Sequence, residues 1–85
     1  MDALDGNAIG GLLHEVFGTE MTAATGRCAN CGFIAPVAES VVYLDAPGTV
    51  VRCRKCVGVL MVVVRRSGMN CVDLSGLAAL GATAV

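Results

Sequence analysis

The chain has 85 residues, of which 55% are hydrophobic and 15% are charged, with a formal net charge of −1. Soluble domains usually have about 45–50% apolar and about 25% charged residues. We therefore expect one small domain that cannot bury all of its apolar surface alone and that self-associates or docks to a protein partner. The net charge of −1, taken alone, argues against a nucleic-acid binder, and the longest apolar run, Val57–Val64, falls short of the roughly 20 residues of a membrane-spanning helix.

The N-terminus carries no sign of a secretory leader. Residues Met1 to Asp5 are acidic and are not followed by the basic-then-apolar pattern of a signal peptide. We therefore expect a cytoplasmic protein. In a reducing compartment, closely spaced cysteines predict metal ligands rather than a disulfide framework.

Residues 4–17 carry apolar side chains at the spacing of an amphipathic α-helix. Asp5 is a suitable N-cap, and Gly18 follows the last apolar residue as a stop signal. Gly10 and Gly11 each weaken such a helix by about 1 kcal/mol relative to alanine, so the helix depends on packing. The apolar positions are Leu4, Ala8, Ile9, Leu12, Leu13, Val16 and Phe17.

The middle of the chain predicts short strands joined by turns. Asp45-Ala46-Pro47-Gly48 is a strong turn signal, and Ser67-Gly68 separates two further strand-like segments. In the tail, one or two helical turns are expected over Leu74–Leu80, followed by fraying. The expected strands are residues 22–27, Val37–Leu44, Thr49–Arg52, Val59–Arg66 and Met69–Leu74.

Two Cys-x-x-Cys motifs are the most specific feature of the sequence: Cys28 with Cys31, and Cys53 with Cys56. Each motif offers two thiolates to one ion, and two motifs complete the tetrahedral four-sulfur site that Zn²⁺ prefers in structural positions. The 21 residues between Cys31 and Cys53 suffice for two short strands and a turn. Redox cysteines without metal are the alternative, but no thioredoxin-like frame accompanies them.

The fold class that follows is small α+β, mainly β: a zinc ribbon of antiparallel hairpins with an N-terminal amphipathic helix. We expect a single domain over residues 1–85, with the helix at 4–18, the ribbon at 22–74 and a C-terminal tail at 75–85. Four thiolates leave no open coordination position, which predicts a structural metal and no enzyme activity.

Zn²⁺ and iron remain alternatives, because the same four ligands accept both ions. The CANCG segment around Cys28 is similar to a rubredoxin knuckle. Rubredoxins, however, combine an aromatic-rich core with an acidic surface, whereas this chain has one Tyr, two Phe and no Trp. Zn²⁺, one per chain, is therefore the preferred metal.

Charge is distributed unevenly. All six basic residues lie between positions 27 and 66 together with two acids, whereas the first 26 residues contain four acids and no base. Either the acidic helix packs on the basic ribbon, or the ribbon carries a binding surface.

Three of the basic residues, Arg52, Arg54 and Lys55, surround the second Cys-x-x-Cys motif, and Arg65 and Arg66 extend the patch. They form either a solvated turn or a contact to phosphate or an acidic protein surface. No aromatic residue flanks this patch in the sequence, so we expect no base-stacking platform.

Three further features have alternative interpretations. Cys71 lies in a predicted strand and is expected to be a small core residue, although a reactive thiol or spare ligand is the alternative. His14 is expected to be a solvated or packing residue rather than a proton carrier or ligand. The Val57–Val64 strand is apolar on both faces, so it is either covered on both sides or has one face open to a partner.

Most of the chain is similar to a family of short bacterial proteins classed as a domain of unknown function. The resemblance implies a zinc-ribbon-like fold and no assigned activity, and the family's occurrence beside flavin- or molybdenum-dependent oxidoreductases implies a redox-enzyme partner. The matching segments are Leu4–Ala8, Glu15–Gly18, Thr22–Cys28, Tyr43–Gly48 and Cys53–Cys56, and the similarity extends to about Leu77.

The leading functional hypothesis is a non-enzymatic structural-zinc ribbon for protein–protein association, accessory to a redox enzyme. Cys28, Cys31, Cys53 and Cys56 are its metal ligands. A nucleic-acid-binding ribbon and a rubredoxin-like iron carrier are the alternatives.

Overall fold

The computed structural model describes residues 4–45 and 48–81, with only the backbone at Asp45. One α-helix in this part, α1, spans Gly10–Phe17, and two 3-10 turns span Gly6–Ile9 and Val37–Glu39. The strands are β1 (Leu4–Asp5), β2 (Thr25–Cys28), β3 (Ile34–Pro36), β4 (Val41–Asp45), β5 (Gly48–Arg52), β6 (Val59–Arg66), β7 (Met69–Asp73) and β8 (Leu77–Gly81). The chain is therefore mainly β with an N-terminal helix, which confirms the predicted fold class.

The N-terminal helix is shorter than predicted. Its expected first turns form β1 and a 3-10 turn instead, because the Asp5 side chain accepts a hydrogen bond from the backbone of Asn7 and opens a tighter turn. Gly6 lies against the backbone of Val37, so close that a Cβ there would lie 1.9 Å from the Val37 carbonyl oxygen. The end of the helix is predicted correctly: Gly18 has φ 74° and donates to the His14 carbonyl.

A five-stranded antiparallel sheet in the order β1-β4-β5-β6-β7 contains most of the ribbon. The prediction of β6 is confirmed at both ends, and β7 ends one residue earlier than expected. The predicted strand from Val37 begins only at Val41, because Val37–Glu39 form a 3-10 turn after Pro36. Residues 46–47 of the predicted turn lie outside the described residues.

A second antiparallel sheet, in the order β3-β2-β8, lies beside the first. The prediction of helical turns over Leu74–Leu80 is wrong: residues 75–76 form a turn, and Leu77–Gly81 form β8, which pairs with β2 in the register Gly26 to Leu80. Leucine and alanine favour helices locally, but pairing with an otherwise open strand edge overrides that preference. The fraying expected after this segment falls on residues 82–85, which lie outside the described residues.

The core is built by residues of α1, of the 3-10 turns and of both sheets. A β-bulge opposite Arg52 interrupts the alternation of β6, so that Leu60 and Met61 are both buried, together with Val63. Val59 at the start of the strand remains exposed, so β6 is covered along its middle and open at one end. The most deeply buried side chains are Leu13, Met61, Val42, Val51 and Cys53.

None of the helices in the described part of the chain has the length and apolar character needed to cross a membrane.

Candidate metal centre

The two Cys-x-x-Cys turns come from different sheets. The first, residues 28–31, begins at the last residue of β2 in the three-stranded sheet. The second, residues 53–56, connects β5 to β6 in the five-stranded sheet. We call them the first and second knuckles. Because each knuckle lies at the ends of strands in a different sheet, an ion held by both knuckles would join the two sheets.

Both knuckles use the same backbone hydrogen bonds. Gly32 donates to the Cys28 carbonyl and Val57 to the Cys53 carbonyl, each at 2.9 Å. These donors occupy equivalent positions and both have left-handed backbones, with φ 77° at Gly32 and 64° at Val57. Glycine adopts this conformation without strain, whereas a β-branched residue does not, so the second knuckle holds a strained valine.

The four sulfur atoms lie within 4.8 Å of one another. Two distances join sulfurs of opposite knuckles: Cys28 Sγ to Cys56 Sγ and Cys31 Sγ to Cys53 Sγ, each 3.6 Å. None of the five cysteines of the chain forms a disulfide. A tetrahedral site with metal–sulfur bonds of about 2.3 Å has sulfur–sulfur distances of about 3.8 Å, so the arrangement can hold a metal ion.

Nitrogen donors point at these sulfurs. The backbone N–H of Lys55 donates to Cys53 Sγ at 3.3 Å, and that of Gly58 donates to Cys56 Sγ at 3.4 Å. The side-chain amide of Asn30 also donates to Cys56 Sγ, at 3.4 Å. Hydrogen bonds to a sulfur stabilise its thiolate form, which is the form that binds metal.

The hydrogen-bond donors and the close approach of the thiols shift the pKa values of Cys56 and Cys31 in opposite directions. The Asn30 amide, assisted by the Gly58 N–H, lowers the pKa of the Cys56 thiol to about 6. At Cys31 the Phe33 N–H acts in the same direction, but desolvation and the neighbouring thiols outweigh it and raise the pKa to about 11. Close thiols lose their first proton easily and their last with difficulty, and a cation among them reverses that penalty.

Burial differs within the set. Cys28 and Cys53 are 3% and 2% exposed, Cys56 is half-buried and Cys31 is exposed. The site is therefore anchored in the core on one side and reachable from solvent on the other.

A small cavity lies between the two sheets beside Cys28 and Cys53. Its volume is about 20 Å³, room for about one water molecule, and Arg54 and Glu39 line its rim. These two side chains form an ion pair at 3.1 Å. The cavity is too small for an organic substrate.

The basic patch at the second knuckle makes contacts within the chain. The Arg52 guanidinium lies 5.9 Å from the centre of the Tyr43 ring and donates to the Val57 carbonyl. The Lys55 ammonium lies 5.9 Å from the centre of the Phe33 ring. The expectation that no aromatic residue flanks this patch is wrong in space, because the segment before β3 brings Phe33 to it and β4 brings Tyr43.

An ion pair joins the N-terminal helix to the basic ribbon. Glu15 of α1 forms an ion pair with Arg65 of β6 and accepts a hydrogen bond from Asn70 of β7. The Asn70 amide and the Arg65 guanidinium lower the pKa of the Glu15 carboxyl. Part of the charge asymmetry therefore reflects packing within the chain.

The remaining candidate residues lie apart from the four sulfurs. The expectation that Cys71 is a core residue is wrong: β7 is an edge strand, and its Cys71 side chain is exposed. His14 is exposed on α1, as predicted, and its carbonyl accepts the helix-ending hydrogen bond from Gly18. Among the described residues, the grouping of possible metal ligands contains neither of them.

Asn30 was not predicted as part of the site. Its signal in the sequence was its position, because a polar amide between the two cysteines of a Cys-x-x-Cys turn has a sulfur atom within reach. Which sulfur it would reach depends on how the knuckles face each other, which the sequence does not specify.

Comparison with known proteins gives a family and no activity. The family model described as "Family of unknown function (DUF6510)" matches residues 1–85. Neither a curated protein nor a solved structure matches the chain. Functional conclusions therefore depend on the geometry of the site.

Proposed function

Because the chain belongs to DUF6510, a family of unknown function, we propose its role from the site itself: it is a non-enzymatic module held together by one structural Zn²⁺ on Cys28, Cys31, Cys53 and Cys56. The observation that carries this proposal is the convergence of four free sulfurs within 4.8 Å from the ends of two different sheets.

The position of the site supports a structural role. The metal joins the three-stranded sheet to the five-stranded sheet at the knuckles. A chain of 85 residues has only a small hydrophobic core to hold two sheets together without it. Four thiolates fill a tetrahedral shell and leave no position for water or substrate. The neighbouring cavity, with room for about one water, adds no substrate site.

Zn²⁺ rather than iron is proposed because one Tyr, two Phe and no Trp are too few for the aromatic-rich core of a rubredoxin-like iron carrier. Phe33 stands beside Lys55 and Tyr43 beside Arg52, so both rings contact cations. The ligand set itself accepts either ion.

Replacing one ligand tests the proposal. Cys53→Ser should lose the bound metal and much of the ribbon's circular dichroism, because metal binding and folding are coupled in such domains. Cys71→Ser is the matched control, since Cys71 is exposed and lies outside the sulfur cluster. Full metal content and an unchanged spectrum in Cys53→Ser would overturn the proposal.

We also propose that the module associates with protein, either a second copy or a partner such as a redox enzyme, in the cytoplasm. Large apolar side chains at the surface support this, Ile34 at 60% and Met69 at 66% exposure above all. The lack of a disulfide at any of the five cysteines suits a reducing compartment. Sedimentation analysis over a concentration series should give a mass above the monomer; a monomer throughout that range would rule out self-association.

Nucleic-acid binding is the second candidate, favoured by the pairing of Lys55 with Phe33 and of Arg52 with Tyr43. Against it, Glu39 neutralises Arg54 in the same patch. Binding to a single-stranded oligonucleotide that weakens steeply with salt would support it, and no binding at low salt would exclude it.

A further inference from the structure

Asn30 connects the two knuckles. It lies in the first knuckle, between Cys28 and Cys31, yet its side-chain amide donates to Cys56 Sγ in the second knuckle at 3.4 Å. Among the described residues, the backbone donors to the sulfurs lie in or directly after the knuckle that carries the sulfur: Lys55 donates to Cys53, Gly58 to Cys56 and Phe33 to Cys31. The Asn30 bond therefore differs in kind, because it ties one sheet's knuckle to a ligand on the other.

The packing around the amide fits this bond closely. A Cβ at Gly58 would lie 3.3 Å from Cys56 Sγ, 3.7 Å from Asn30 Nδ2 and 3.8 Å from Asn30 Cβ. The asparagine thus lies directly over the Cys56–Gly58 turn. Cys56 Sγ is also within 3.6 Å of Cys28 Sγ, so the amide acts at a point where the two knuckles meet.

We propose that Asn30 is a positioning residue that holds Cys56 against the first knuckle and slows release of the metal. This inference depends on the proposed metal-binding function. A hydrogen bond to a thiolate is charge-assisted, so it strengthens when the sulfur carries the negative charge of a metal ligand. Because it spans the knuckles, it also resists movement of Cys56 away from the first knuckle. Loss of such an outer partner typically lowers metal affinity by 10–100-fold.

Cobalt provides the probe, because Co²⁺ occupies four-sulfur sites and its sulfur-to-metal charge-transfer absorption reports on the ligands. In Asn30→Ala, chelator-induced cobalt release should be about tenfold faster than in the unsubstituted chain. The charge-transfer band should also move to longer wavelength, since a sulfur without its hydrogen bond gives up electron density more easily. Asn30→Asp should release cobalt faster still, because it replaces the donor with a negative acceptor of the same size.

Asn7→Asp is the matched control. It makes the same change of charge at another exposed asparagine, whose described hydrogen bonds involve only its backbone. We expect its release rate to lie within about twofold of the unsubstituted chain, because exposed substitutions away from a site have small effects. Circular dichroism of each cobalt-loaded variant checks that the fold is retained.

The outcomes separate the inference from the function on which it depends. If the unsubstituted chain binds no cobalt, the proposed function fails and the inference with it. If it binds cobalt and Asn30→Ala shows the same release rate and the same band, the inference alone is overturned. Should the alanine variant not fold, Asn30→Asp decides the question, and release no faster than that of the unsubstituted chain contradicts the proposal.

Discussion

Gly76 fixes the distance between the two sheets, and substituting it should loosen both the fold and the metal centre. It precedes β8 and lies against β6, so closely that a Cβ would lie 1.8 Å from the Val59 carbonyl oxygen and 2.7 Å from Leu60 Cα. Such contacts are essentially never shorter than 3.0 Å. In Gly76→Ala the turn or β6 must therefore move by more than about 1 Å, and no flexible side chain is available to yield.

The cost follows from that displacement. Overpacking in a well-packed interior destabilises by about 1–3 kcal/mol and occasionally more, and a contact between two backbones belongs at the upper end. The Gly76 carbonyl also accepts a hydrogen bond from Ala29 in the first knuckle at 2.9 Å. Gly76→Ala should therefore lower both the free energy of unfolding, by about 3 kcal/mol, and the affinity for Zn²⁺.

Urea unfolding with and without Zn²⁺ measures both effects. Gly11→Ala is the control, because nothing lies within 4 Å of a Cβ placed at this helical glycine. We expect Gly11→Ala to stabilise the chain by about 0.5–1 kcal/mol. Equal stabilities of the two variants would refute the argument that the turn at Gly76 sets the spacing of the sheets.

Three further predictions concern the core, the second knuckle and pH. Leu13→Ala removes a fully buried side chain of α1 and should lower the free energy of unfolding by about 2–5 kcal/mol, measured by urea denaturation; a change below about 1 kcal/mol would mean that the helix is not packed as described. Val57→Gly removes the side chain that strains the positive φ at that position and should stabilise the chain by about 0.5–1 kcal/mol in thermal unfolding. The left-handed conformation costs a non-glycine residue about 1–2 kcal/mol, which exceeds the cost of the backbone entropy that glycine adds to the unfolded chain. A loss of stability would contradict the strain. The pKa of Cys31 is raised to about 11 and that of Cys56 is lowered to about 6. The affinity for Zn²⁺, measured against a competing chelator, should therefore fall as the pH falls, and more steeply below about pH 6, where Cys56 also takes up a proton. An affinity independent of pH between 5 and 8 would exclude thiolate ligands.

Local features of the sequence predicted the parts of the fold that depend on local chemistry. The Cys-x-x-Cys spacing gave the two knuckles, the β-branched run gave β6 at its observed bounds, and Gly18 gave the end of α1. The grouping of the four cysteines could be predicted without knowledge of the fold, because two sulfurs in one tight turn can face one ion.

Features that depend on contacts distant in sequence were missed. The Leu77–Gly81 segment favours a helix alone and becomes β8 because β2 offers an open edge. Cys71 is exposed because β7 ends its sheet, which its own residues do not indicate. In the same way, the contact between Asn30 and Cys56 exists only once both sheets are assembled.

The central claim is that the four cysteines bind one structural Zn²⁺ per chain. Native mass spectrometry of freshly purified protein tests it most directly, because it reports the bound metal and the number of subunits together. We predict one zinc per chain, lost in Cys53→Ser and retained in Cys71→Ser. A folded protein without metal would contradict the claim. One iron per monomer would also contradict it and would favour an electron-transfer function instead.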